Sequence, residues 1–177
     1  TYDFAAVGMH IRQIGTMALN VVSTRVPEDI VRTLVNETGD GRKFEASSLA
    51  LALSFARDLT DRFSIGVTVK YINEKIWNES ASAFAFDVGT LFITPFNDLK
   101  IGASMSNFGS KMSLTGRDLL FNQNPNPSTE GGPKNIPYQY RVGEYDLPLS
   151  FRVGVAMDII NEGGIKATVA LDATHPN

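Results

Sequence analysis

In the stretch RFSIGVTVKYI, Arg62 to Ile72, Phe63, Ile65, Val67, Val69 and Tyr71 alternate with Ser64, Gly66, Thr68 and Lys70. A strict period of two gives a β-strand two chemically distinct faces, whereas a helical stripe repeats about every 3.6 residues. The second face is the constraint. In a soluble antiparallel sheet that face meets water and carries solvated charges, yet here it is glycine and hydroxyls with a single lysine. A chain built from such strands needs an apolar environment for one face and a crowded or wetted interior for the other.

The pattern recurs along the chain, and almost nowhere does a helical period hold for a full helix length. Strands are expected at about Tyr2 to Met9, Gly15 to Thr24, Phe44 to Arg57, Arg62 to Ile72, Ser82 to Ile93, Leu99 to Phe108, Pro148 to Ile160 and Ile165 to Ala173. Leu49, Leu51, Leu53 and Phe55 oppose Ser48, Ala50, Ala52 and Ser54. Phe84, Phe86 and Val88 oppose Ala83, Ala85, Asp87 and Gly89, and later strands repeat the division. Tight turns (HIRQI, DLTD, TPFND, NEGG) alternate with long connections at about Arg25 to Lys43, Asn73 to Ala81 and Gly109 to Leu147. Short turns at one end and long loops at the other are the asymmetry of an up-and-down outer-membrane barrel. Aromatics near strand ends fit interfacial girdles, Phe55, Phe63, Phe92 and Phe96 at the tight turns, Tyr71 and Trp77 at the other end. The expected fold is therefore an all-β, antiparallel, up-and-down transmembrane β-barrel spanning 1–177 as one domain, with 109–147 a long extracellular loop. A soluble barrel or sandwich with its apolar face turned inward is the alternative.

Composition excludes several functions. Lys plus Arg number 16 against 19 Asp plus Glu, for a net charge of -3 without a basic stripe, so nucleic acid is not an expected partner. There is no cysteine to give a disulfide or a thiolate, and no run of ~20 apolar residues to form a membrane helix. The two histidines, His10 and His175, lie far apart in sequence, and no HExxH, GxSxG or phosphate-loop pattern occurs. Neither catalysis nor a cofactor or metal site is expected.

The runs DLTDRFSIGVTVKYI, AFAFDVGTLF, LKIGASMSNFG and LPLSFRVGVAMD resemble the PorV/PorQ family of outer-membrane proteins, relatives of the fatty-acid-transporter barrels. The similarity covers most of the chain and lies in strand and turn patterns. It implies a 14-stranded barrel in the outer membrane of a Gram-negative, Bacteroidetes-like bacterium. It also implies a role in type IX secretion, with secretion components or cargo as protein partners and outer-membrane lipid around the wall. Passage of hydrophobic small molecules is the relatives' alternative role. The family's signal peptide and its Asn-Pro-Ala-Gly segment are not found here, and the last strand ends in ATHPN without a closing aromatic, so the chain is expected to be an internal piece of a larger barrel.

Two groups of residues are candidates for function. Lys70, Asp87, Arg152 and Asp158, with Lys100, Lys166 and Asp172, place charge on the lumen-facing parity, where charges must be paired or wetted. An ion-pair network is expected there before a ligand site. Phe121, Tyr138, Tyr140 and Tyr145 dot the Asn-, Pro- and Gly-rich connection 109–147, a composition suited to contacting protein partners. In EDIVRTLVNETGDGRKF, β-branched residues and the TGDG turn favour extended strands over a short helix.

Overall fold

The computed structural model describes residues 1–39, 41–124, 135–162 and 165–177. Eight long strands form one antiparallel sheet: β1 (Tyr2–Ile11), β2 (Gly15–Ile30), β3 (Lys43–Thr60), β4 (Phe63–Ile76), β5 (Glu79–Ile93), β6 (Lys100–Gly109), β10 (Ser150–Glu162) and β11 (Ile165–Pro176). The short β7 (Thr115–Gly116), β8 (Leu120–Gln123) and β9 (Ile136–Gln139) lie within the connection from β6 to β10. The long strands pair in the order β1-β2-β3-β4-β5-β6-β10-β11, so sequence neighbours are spatial neighbours throughout. The alternating pattern thus yields an all-β, up-and-down sheet, and no α-helix occurs among the described residues.

Register keeps the two faces apart across the whole width. One rung joins His10, Thr16, Ala56, Gly66, Gly89, Ser104, Arg152 and Thr174. The next rung, on the opposite face, joins Met9, Met17, Phe55, Val67, Val88, Met105, Phe151 and His175. A slip of one residue anywhere would mix the two sets, which is why strict alternation specifies register strongly.

Burial is inverted relative to a soluble sheet. The buried apolar residues are Ala52, Ala81, Ala83, Ala85 and Met112, and the four alanines all belong to the small face. Leu53, Phe84, Phe86, Phe151 and Leu171 on the large face are exposed. The accessible surface is 13146 Å² for 19.3 kDa, against roughly 8,500 Å² for a compact soluble monomer of that mass.

The tight turns follow local chemistry. Asn97 and Asp98, with φ 47° and 48°, carry the chain from β5 to β6, a left-handed conformation that these residue types tolerate. Gly15, at φ 142°, opens β2 where a Cβ would press on Phe55 and the Ala56 carbonyl.

The sheet does not close within this chain: β1 and β11 are unpaired edges among the described residues. Two expected connections change. Asn73 to Ala81 is not a long connection: β4 runs to Ile76 and β5 begins at Glu79, so only Trp77 and Asn78 turn between them. Polar residues there still pair across strands, because Lys75 reaches Glu45 at 3.3 Å and both remain in water. β2 likewise continues to Ile30 and β3 begins at Lys43, leaving a hairpin, as the β-branched content favours, and not a helix. The asymmetry between the two ends therefore resides in strands that outrun the apolar band as much as in loop length.

Candidate functional site

The small face and the connection laid against it hold the candidate residues. A groove of about 660 Å³ runs along that face from β3 to β11, its floor including Ser54, Gly66, Thr68, Gly89, Gly102 and Gly154. The absence of side chains on rung after rung hollows the wall. Gly66 and Gly102 are not forced by crowding, since an added Cβ would meet nothing closer than 3.8 Å and 3.9 Å. Gly154 differs, because a Cβ there would strike the Asp172 carboxylate folded over it.

Lys70 and Asp87 come together above the groove. Their Nζ and Oδ1 atoms lie 2.7 Å apart, with the side chains 17% and 27% exposed. The register explains the meeting: Thr68 pairs with Asp87 and Lys70 with Ala85, so lysine and aspartate are diagonal neighbours on one face. A third member, Asn107, is not among the residues singled out from sequence. Between the pairs Phe86–Phe108 and Val88–Met105, β5 has one residue where β6 has two, and the bulge puts Asn107 at φ 64°. Its backbone N–H donates to Asp87 Oδ1 at 2.8 Å and its side-chain oxygen accepts from Lys70. Its Nδ2 donates to the Pro148 carbonyl at 2.9 Å.

Of the other charged candidates on the small face, Lys100 opens β6, and Arg152, Asp158, Lys166 and Asp172 lie on β10 and β11. Asp158 Oδ2 lies 3.1 Å from Lys166 Nζ, and its Oδ1 accepts from the Thr168 hydroxyl at 2.6 Å. Arg152 donates to the Thr174 hydroxyl at 3.3 Å, and no ion pair joins it among the described residues. Pairing thus accounts for three of the four lumen candidates, Lys70, Asp87 and Asp158, and leaves Arg152 with a hydroxyl.

The aromatic candidates divide. Phe121 on β8 stacks with Tyr138 and Tyr140 at centroid distances of 5.6 and 4.5 Å, forming one platform on the β8–β9 hairpin. Tyr145 is apart from it, its hydroxyl donating to Glu74 Oε2 at 3.0 Å. Burial, then the hydrogen bond and the negative charge of Glu74, raise the Tyr145 phenol above its ordinary value. Residues 125–134, at the centre of the Asn- and Pro-rich run, lie outside the described residues.

Met112, also missed, is fully buried against Ala81 and Ala83, with Ile72, Leu114 and Leu147 around it. Its sequence signal was the alternation of Met112 and Leu114 within SKMSLTG, a strand-like pattern in an otherwise polar connection. Of the residues described, no group of His, Asp and Glu has the grouping a metal would need. No protein-family model matches the chain, and no curated protein is similar to it at a significant level.

Proposed function

We propose that this chain is part of an outer-membrane β-barrel of a Gram-negative bacterium. In this reading it acts in protein export, with the outer connections engaging secretion components or cargo. The observation that carries the membrane part is the exposed large face. From Phe63 to Tyr71 on β4 and from Phe84 to Phe92 on β5, each residue on the large face is apolar except Thr90, which pairs with Ile65. Each run matches the ~9–11 residues a tilted transmembrane strand needs. Beyond the band, ion pairs such as Lys43–Glu28 and Lys75–Glu45 suit an aqueous phase. The unpaired edges β1 and β11 support membership of a wider barrel, because long apolar edges left open invite strand addition.

The export role rests on the resemblance to PorV/PorQ proteins, and the Phe121–Tyr138–Tyr140 platform supplies a surface of the right chemistry, since aromatic residues are enriched at protein interfaces. The groove on the small face sets hydroxyls and charges, Ser54, Thr68, Asp87, Arg152 and Asp172 among them, between glycine and alanine; passage of hydrophobic small molecules is the second reading.

Refolding tests the membrane part. A β-type circular dichroism spectrum obtained with detergent and not in buffer, with a mobility shift on boiling, is the expected result. Cooperative folding to a monomer in plain buffer would make the large face a core and end the proposal.

A further inference from the structure

The small face cannot bury itself: alanine, glycine and serine leave little apolar area to remove from water. Large side chains over its upper part come from the connection between β6 and β10. Met112 and Leu114 from the outgoing stem and Leu147 from the returning stem pack on Ile72, Ala81 and Ala83. Ile72 and Ala83 are register partners, as are Glu74 and Ala81, so the Met112 side chain sits against the small face of β4 and β5, while Thr115 and Gly116 pair with Ser80 and Glu79 along β5.

The stems are fastened to each other and to the wall. Ser110 N–H donates to the Phe84 carbonyl at 3.0 Å, and Met112 and Tyr145 exchange two backbone hydrogen bonds of 2.9 Å. Ser113 donates to the Val142 carbonyl at 3.2 Å, and Tyr145 reaches Glu74. At the base, Asn107 holds the Pro148 carbonyl while Lys70 and Asp87 hold Asn107. One half-buried ion pair therefore sets the residue from which the returning stem hangs.

We propose that residues 109–116 and 140–148 are a built-in plug at the long-connection end of the inward face, latched by Lys70, Asp87 and Asn107. Its effect on passage through the lumen rests on the barrel reading above; the packing of the plug does not. Opening the latch frees the stems, exposes Met112 and joins the groove to the outer aqueous phase for small polar solutes.

The chain has no cysteine, so single thiols report directly. Met112→Cys and, as an exposed reference, Leu34→Cys (Leu34 is 101% exposed) are labelled with a charged maleimide in folded, detergent-solubilised protein. Met112→Cys is expected to react about tenfold or more slowly than the reference, and Lys70→Met to speed it about tenfold, the ratio given by ~1.4 kcal/mol. Asn107→Ala serves as a second latch variant should Lys70→Met fold poorly. In liposomes holding the complete barrel of which this sheet forms part, small-solute flux should be low for the parent, higher for the latch variants, and low again when Ala83→Cys and Met112→Cys are bridged by a short bifunctional maleimide. Equal labelling of positions 112 and 34 overturns the plug, and latch variants that change neither labelling nor flux overturn the latch. Failure to insert into liposomes counts against the barrel reading, and the labelling ratio then decides the plug by itself.

Discussion

Lys70 Nζ and Asp87 Oδ1 meet at 2.7 Å on the inward face, and the same aspartate oxygen accepts the Asn107 backbone N–H at 2.8 Å. Lysine, aspartate and a left-handed asparagine on three successive strands thus form one unit, in which each member satisfies another. Removing the lysine leaves a half-buried carboxylate with a single donor. Lys70→Met is expected to cost about 1.5–3 kcal/mol, the range for hydrogen bonds to charged groups. Asp87→Asn keeps an acceptor for Asn107 and should cost less. Urea unfolding in detergent, with the double variant completing the cycle, measures the coupling; additive losses would show that the unit does not act as one.

The glycines divide into tight and roomy positions. At Gly109, where the connection leaves β6 across β5, an added Cβ would lie 2.8 Å from Ala85 Cα and also strike the Phe84 carbonyl. Backbone cannot yield as a side-chain tip can, so Gly109→Ala is expected to destabilise by about 1–3 kcal/mol. Gly66→Ala and Gly102→Ala meet ordinary contacts and should be neutral or stabilising by about 0.4–1 kcal/mol. Thermal unfolding of the three variants checks the order. A large loss at Gly66 or Gly102 would mean that something outside this chain fills the groove.

Tyr145 provides a pH test of the connection. Its folded-state value is raised, by burial first and by Glu74 second, so the neutral phenol is the form that folding favours. The stabilisation is fully present below the unfolded value of 10.0 and is lost as pH rises through the higher folded value. The tether to Glu74 should therefore survive at neutral pH and release only in strong alkali. Ultraviolet titration of the parent against Tyr145→Phe isolates this phenol, and ionisation at or below pH 10.0 would show that the contact is not formed.

The strands were legible because every large apolar residue from Phe63 to Tyr71 takes one parity, and parity alone fixes which face each side chain takes. Strand ends were less so. Asn73, Glu74 and Lys75 look like a loop in composition, yet they continue β4 because partners on β3, such as Glu45, pair with them above the apolar band. The candidate charges were visible on the inward parity, but their pairing was not, since Lys70 meets Asp87 through a diagonal that only register reveals. Asn107 and Met112 were hidden for a further reason: a bulge and an inward-turning connection are three-dimensional events, and the local sequence supplies only a tolerant asparagine and a short alternation.

The outward face gives the most direct test of the environment around the sheet. Leu53, Val69 and Phe86 form one rung at mid-height and are 50%, 42% and 48% exposed. In water, a charge placed at such exposed positions changes stability by no more than about 0.5 kcal/mol. At the midplane of a bilayer, an arginine or lysine on the lipid face of a barrel costs about 2–4 kcal/mol, falling to ~0–1 near the interfaces. Val69→Arg should thus show the large penalty in liposomes, whereas Ser47→Arg, on the same face but beside the Lys75–Glu45 pair, should show little. The gradient between these two positions is the signature of a lipid-facing band. Equal, small effects at both would place Val69 in water, and a comparable loss in lipid-free buffer would place it in a protein interface.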